Sequence, residues 1–378
     1  MKIIALFLCL FALKTQAAWD LNDVSYLMPL PQTMQDTGLL KISAKGRGGD
    51  LIPGILIDQI PFLSPNINKE SAKQVLRVFG VRIDPCFPLP TPQSCQRQLR
   101  IVWQPIEKDF DGNIRAVDAA LHSFYILTDK EFNALLTDIA VWKKNYSVQT
   151  EYLPLQVHPA WQDLGTQSPP LAAFHQIVLK YAGKENLSRV TAMLLRRGGL
   201  MWTFAGYEVV GDDLQVLEIP RLEGKKSQTF INLAYPPDKF SNGGINPLPQ
   251  GSDVINTLVL GSDLLEERHE ETIRNESRAA YRMENPKAFN PENMDCASCH
   301  VAQPAIHWVL NQRPNLKVDQ IWNADIYKNL RYNLENKSPG VANTRIIRAF
   351  GYFDADMAIS QRVINESAEV ADSLNQLN

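Results

Sequence analysis

Residues 296–300 read Cys-Ala-Ser-Cys-His, and no other run constrains this chain as strongly. Two thiols three positions apart on one turn can each form a thioether to a porphyrin vinyl group, and the adjacent His300 is then placed beneath the iron as an axial ligand. C-x-x-C-H is the attachment signature of a c-type haem. With five Cys and six His in 378 residues, composition alone makes a chance occurrence rare.

That chemistry needs a compartment in which it can be installed, and the first residues point to one. Lys2 is a positive n-region, Ile3 to Leu13 form an apolar run of eleven, and Thr15-Gln16-Ala17 supplies small residues before an expected cleavage between Ala17 and Ala18. Residues 1–17 are therefore expected to be a bacterial-type signal peptide, leading to the periplasm or another exported location. Eleven apolar residues are too few to span a bilayer as a helix, and no later stretch approaches the roughly 20 that spanning needs. Cys9 lies inside the apolar run and is expected to leave with it.

Loss of Lys2 and Lys14 moves the formal charge from −3 to −5. A mildly acidic chain without a basic block lacks the electrostatic footprint of a nucleic-acid or anionic-membrane binder. Four Cys remain in two pairs. Cys86 and Cys95 bracket Pro88, Pro90 and Pro92, and in an oxidising compartment they are expected to form a disulfide that staples a stiff loop. Closing about ten residues contributes roughly 2.5–3 kcal/mol in the chain-entropy model.

Leu99-Arg100-Ile101-Val102-Trp103 and Leu121 to Leu127 read as strands. Phe132, Leu135, Leu136, Ile139 and Trp142 recur at three- and four-residue spacing and predict a helix over Asp129–Lys144, with a second over Pro170–Tyr181. Residues 189–234 predict a β meander, with turn signals at Gly198-Gly199 and Gly211-Asp212-Asp213. After Gly261 the composition changes: Leu264 to Met283 is charged and helical in character, and the loop Asn285 to Asn293 delivers the Cys pair. The predicted fold class is α+β. A mixed domain over 18–283 carries the meander, and a small, mainly α-helical haem domain occupies 284–378.

In that last segment the chain resembles the class I monohaem cytochromes c. The resemblance rests on C-x-x-C-H and on Arg313-Pro314-Asn315-Leu316, which begins thirteen residues after His300. The family has a Gly-Pro-x-Leu element there whose carbonyl accepts from the ligand histidine, so the resemblance implies that role for Pro314, with Arg313 as a departure. It also implies a Met ligand before a C-terminal helix. Met357 is the sole Met after His300, and the helix predicted from about Ile359 to Leu377 follows it. His307, two turns along from His300, and Met294, two residues before Cys296, are poorly placed for the opposite haem face. Met283, His175 or His158 would reach it only if the N-terminal domain folds over the haem.

Arg345 and Arg348 are candidates for pairing with the propionates, and Trp308 and Trp322 for packing on the porphyrin edge or in the core. A zinc site would need a fourth ligand beyond Cys296, Cys299 and His300. A thioredoxin-like motif would sit early in a βαβ unit, not after a Pro/Asn-rich loop. The expected function is single-electron transfer by one covalent haem c, exchanged with redox partner proteins. The alternative is a five-coordinate haem enzyme or sensor acting on peroxide or a diatomic gas.

Overall fold

The computed structural model describes residues 19–64, 67–87, 95–196, 200–232, 243–261, 269–338 and 346–376. The expected export segment, the Pro88–Pro92 loop, the Gly198-Gly199 turn and Arg345 lie outside the described residues. The chain begins with α1 (Leu21–Val24), β1 (Ser25–Leu27), the small hairpin β2 (Lys45–Gly46) and β3 (Gly49–Asp50), then α2 (Gly54–Gln59) and α3 (Lys69–Val75). Strands β4 (Leu76–Phe87), β5 (Gln96–Lys108), β6 (Ile114–Ala116) and β7 (Ala120–Leu127) follow, then α4 (Asp129–Asn145) and α5 (Pro169–Tyr181). The meander is β8 (Leu187–Leu195), β9 (Met201–Val210), β10 (Asp213–Val216), β11 (Gln228–Asn232) and β12 (Gly243–Asn246). Helices α6 (Asn256–Gly261), α7 (Glu270–Glu284), α8 (Cys296–Gln312) and α9 (Val318–Ile321) lead to a hairpin, β13 (Phe350–Phe353) and β14 (Asp356–Ile359), and to α10 (Gln361–Gln376).

Ten strands form one antiparallel sheet in the order β1-β4-β5-β7-β8-β9-β11-β12, with β6 on β5 and β10 on β9. Successive strand residues point to opposite faces, so the register sorts side chains into two layers. Trp103 pairs with Leu121 and Ile101 with Ser123, and this odd-numbered face packs toward α4 and α5. An aromatic cluster fills that layer, with Tyr26 4.3 Å from Phe174 and Trp142 5.8 Å from Trp161. The even-numbered face carries Arg100, Val102, His122 and Phe124. It is covered by α8, which touches β9 and β11, and by α10, which touches β4.

Where a small helical domain was expected from 284 onward, the segment packs its helices into hydrophobic clusters shared with the sheet. Helix α8 buries Val301, Ala305, Trp308 and Val309 in a cluster shared with the sheet residues Met193, Trp202, Phe204 and Phe230. Helix α10 buries Val363, Ile364, Ala368 and Leu374 in the larger cluster around α1 and β4. Between them, Met357 lies in β14 opposite Tyr352, where a loop before a helix was expected. The hairpin is docked by Gln104, whose Nε2 donates to the Tyr352 carbonyl at 2.8 Å and whose Oε1 accepts the Tyr352 N–H at 2.7 Å. Gly351 makes this possible. Its φ is +147°, and a Cβ there would stand 2.1 Å from Gln104 Oε1. Cys86 and Cys95 are joined, with an S–S distance of 2.24 Å. No helix among the described residues is long and apolar enough to cross a membrane.

Candidate functional site

Helix α8 starts at the first cysteine of the motif because Asp295 caps it there. Asp295 is fully buried and accepts the Ser298 N–H at 3.1 Å. From β11, Gln228 Nε2 donates to the same Asp295 oxygen, Oδ2, at 2.8 Å, and its Oε1 accepts the Ala297 N–H at 2.8 Å. Two of the N–H groups that a helix start leaves without partners are thereby satisfied, and the first turn is pinned to the sheet. Residues i, i+3 and i+4 share a helix face. Cys296, Cys299 and His300 accordingly line one cavity of about 270 Å³, partly open to solvent.

The sheet supplies the opposite wall in two cross-strand rows. Arg82, Arg100, Phe124 and Arg189 are successive partners across β4, β5, β7 and β8, and Val102, His122, Thr191 and Gly206 across β5, β7, β8 and β9. All eight line the cavity. Helix α10 closes a side with Arg362 and Glu366.

His300 Nδ1 lies 2.8 Å from the carbonyl oxygen of Ile347. A carbonyl only accepts, so Nδ1 carries the proton and donates, and Nε2 keeps its lone pair. Such a bond fixes ring and tautomer in metal-ligating histidines. The Phe204 ring is 4.9 Å from the imidazole. Burial, opposed by the Ile347 hydrogen bond and aided by Arg348, takes the His300 pKa down to about 4, so the ring is neutral at physiological pH. Burial likewise pushes the Cys296 and Cys299 thiols up to about 12, and both are held protonated.

Cations line the cavity beside these groups. Glu366 accepts from Arg82 at 2.9 Å and from Arg362 at 2.7 Å. Burial would raise its pKa, but Arg362, Arg82 and Arg100 together hold it well below the usual carboxylate range. Arg362 also donates to the Met283 and Phe289 carbonyls at 2.9 and 2.8 Å, tying α10 to the segment that leads into the motif. Arg100 stands 3.4 Å from Asp84, and burial together with the neighbouring Arg82 brings its pKa down to about 10. A guanidinium so placed is stabilised by any further anion.

Two residues expected at the site lie elsewhere. Pro314 starts a short turn just past α8, and its carbonyl accepts the Lys317 N–H at 3.2 Å; the carbonyl bound to His300 is that of Ile347, in a segment brought alongside by tertiary packing. Met357 is half-buried against the larger core and is not among the cavity's lining residues. Arg348 is buried and paired with Asp118 at 3.5 Å, and Trp322 donates to the Arg274 carbonyl at 2.8 Å. Trp308 is core. His158 sits in the aromatic layer on the far face, 4.3 Å from Trp161. His175, Met283 and His307 do not line the cavity, while Met294 does.

His122 and the arginines were missed. The available signal was a basic or imidazole side chain set inside a largely apolar strand, such as His122 in β7 and Arg189 in β8.

The residues present suit a covalent haem: two thiols and a neutral imidazole with an uncommitted Nε2 on one wall, Val102, Phe124, Leu217 and Phe350 as apolar lining, and guanidiniums for carboxylates. No group of three or more His, Cys, Asp or Glu arranged to hold a metal ion occurs among the described residues. A haem iron draws four of its ligands from the porphyrin and asks the protein for only one or two. No protein-family model, curated protein or solved structure matches the chain.

Proposed function

We propose that the chain is an exported monohaem c-type cytochrome that carries single electrons between redox partner proteins. The observation that carries this reading is the convergence of Cys296, Cys299 and His300 on one cavity, with His300 Nδ1 already committed to the Ile347 carbonyl. Each thiol is suited to add across a vinyl group. The C–S bond forms at one vinyl carbon, the thiol proton goes to the other, and no oxidant is consumed. A haem bound in this way supplies reversible one-electron chemistry, with one electron accepted from a reduced partner and passed to an oxidised one.

The chain's own residues then have distinct tasks. Ile347 orients His300 and strengthens it as a donor. Arg82, Arg100, Arg189 and Arg362 offer charge-assisted hydrogen bonds to propionates. Asp295 and Gln228 hold the helix start that carries the thiols. The resemblance to class I cytochromes c extends to the motif and to the order of motif, loop and C-terminal helix.

Two thioethers survive denaturation, whereas coordination alone does not. Protein made with export and cytochrome maturation should retain haem stain on a denaturing gel, and the double variant Cys296→Ala, Cys299→Ala should lose it. Equal staining of the two would reject covalent attachment.

A further inference from the structure

We propose that His122, on the central strand β7, is the second axial ligand of the iron, facing His300 across the cavity. The inference rests on the haem reading above and adds the residue that closes the other side. His300 projects from α8 and His122 from the covered face of the sheet, and both line the same cavity. They are 178 positions apart in sequence and meet because α8 packs on β9 and β11, two and three strands along from β7.

The competing donors are placed unfavourably. Met357 is on the β13–β14 hairpin and does not line the cavity. Met294 lines it, but enters two residues before Cys296, on the same chain segment as the thiols. The carboxylate of Glu366 is taken by Arg82 and Arg362. The imidazole of His122 is the one neutral nitrogen donor that the opposite wall provides.

Its surroundings agree. No hydrogen bond to either ring nitrogen of His122 occurs among the described residues, and the half-buried side chain lines the cavity, so a ring nitrogen is free to take a ligand there. In its cross-strand row His122 is flanked by Val102 and Thr191, with Gly206 beyond, and these small side chains leave room for a planar group against the sheet. Two imidazoles leave no open position for peroxide or a gas and favour a lower reduction potential than His/Met ligation.

The test uses the purified exported holoprotein. The wild-type ferric protein should be low-spin and lack the far-red thioether-to-iron band. His122→Ala should become high-spin, bind carbon monoxide when reduced roughly tenfold faster or more, and return to low-spin on addition of imidazole. Met357→Ala should keep the wild-type spectrum. If His122→Ala does not accumulate, His122→Met should, and should introduce the far-red band and raise the potential. Haem retained with an unchanged low-spin spectrum in the His122 variants overturns the ligand assignment alone, as does a wild-type far-red band that disappears in Met357→Ala. Wild-type protein without covalent haem overturns the assignment together with the reading beneath it.

Discussion

His158 illustrates what a buried imidazole costs when no ligand awaits it. It stacks 5.1 Å from Tyr26 and 4.3 Å from Trp161, its Nδ1 accepts the Ala160 N–H at 3.2 Å, and Nε2 has no partner among the described residues. Burial first, and then the charge of Lys143, depress its pKa to about 3. The unfolded chain takes up this proton near the ordinary value of about 6.5, while the folded protein resists until about 3. Stability from this residue is therefore complete above about 6.5 and drains as pH falls toward the folded value. Between pH 7 and pH 4 the loss should reach about 3 kcal/mol. His158→Phe should flatten this part of the acid limb, as measured by urea midpoints at the two pH values; parallel slopes for wild type and variant would show that the group does not titrate on unfolding. At this scale the thiols and His300 were legible because their spacing is local. The carbonyl acceptor was not: Ile347 is 47 residues from His300, and nothing in its own neighbourhood marks it.

Helix α8 depends on a cap that also joins two elements. Asp295→Ala removes the acceptor for Ser298 N–H and leaves Gln228 Nε2 and Arg221, 3.8 Å away, without their anion. The cost should be roughly 2 kcal/mol or more, read as a lower denaturant midpoint, with a smaller haem-loaded fraction because the first turn carries both thiols. Thr128→Ala strips the exposed capping box of α4 and should cost only about 1 kcal/mol with haem loading unchanged. Equal effects from the two substitutions would show that α8's cap has no special role. Helices α4 and α5 match their predicted bounds to within a residue, and β8 to β11 fall within two residues of the span predicted for the meander, with β12 beyond it, since apolar periodicity reports local amphipathic structure directly. The β13–β14 hairpin escaped because its four-residue strands are held by Gln104 and by the Tyr352 hydroxyl donating to the Met28 carbonyl at 2.8 Å. Those contacts span more than two hundred residues.

Across the whole molecule, the segment from 284 onward and the N-terminal sheet contribute to the same hydrophobic clusters. Excision of residues 284–378 would expose Trp308, Val301 and Ala305 of α8 where Phe204, Phe230 and Met193 now cover them, and would strip α10 of β4 and α1. Exposed apolar area of this kind costs about 25 cal/mol per Å², and the segment would also lose His122 and three of the four cavity arginines. The isolated segment should show no cooperative thermal transition by circular dichroism, whereas the chain from residue 18 should melt as one unit. A sharp, reversible transition in the fragment would restore the independent domain.

The proposed attachment chemistry rests on five consecutive residues, because a helical turn brings i, i+3 and i+4 together wherever it occurs. The α+β class and the principal helices were likewise set by local periodicity. What faces the motif was decided only by tertiary structure. Strand register placed Arg82, Arg100, His122 and Arg189 on one face, and the packing of α8 and α10 on that face made a cavity of it. Local pattern reports which residues turn inward, but sheet order and helix packing choose which inward residues meet, since those contacts are settled by burial energy summed over the whole chain.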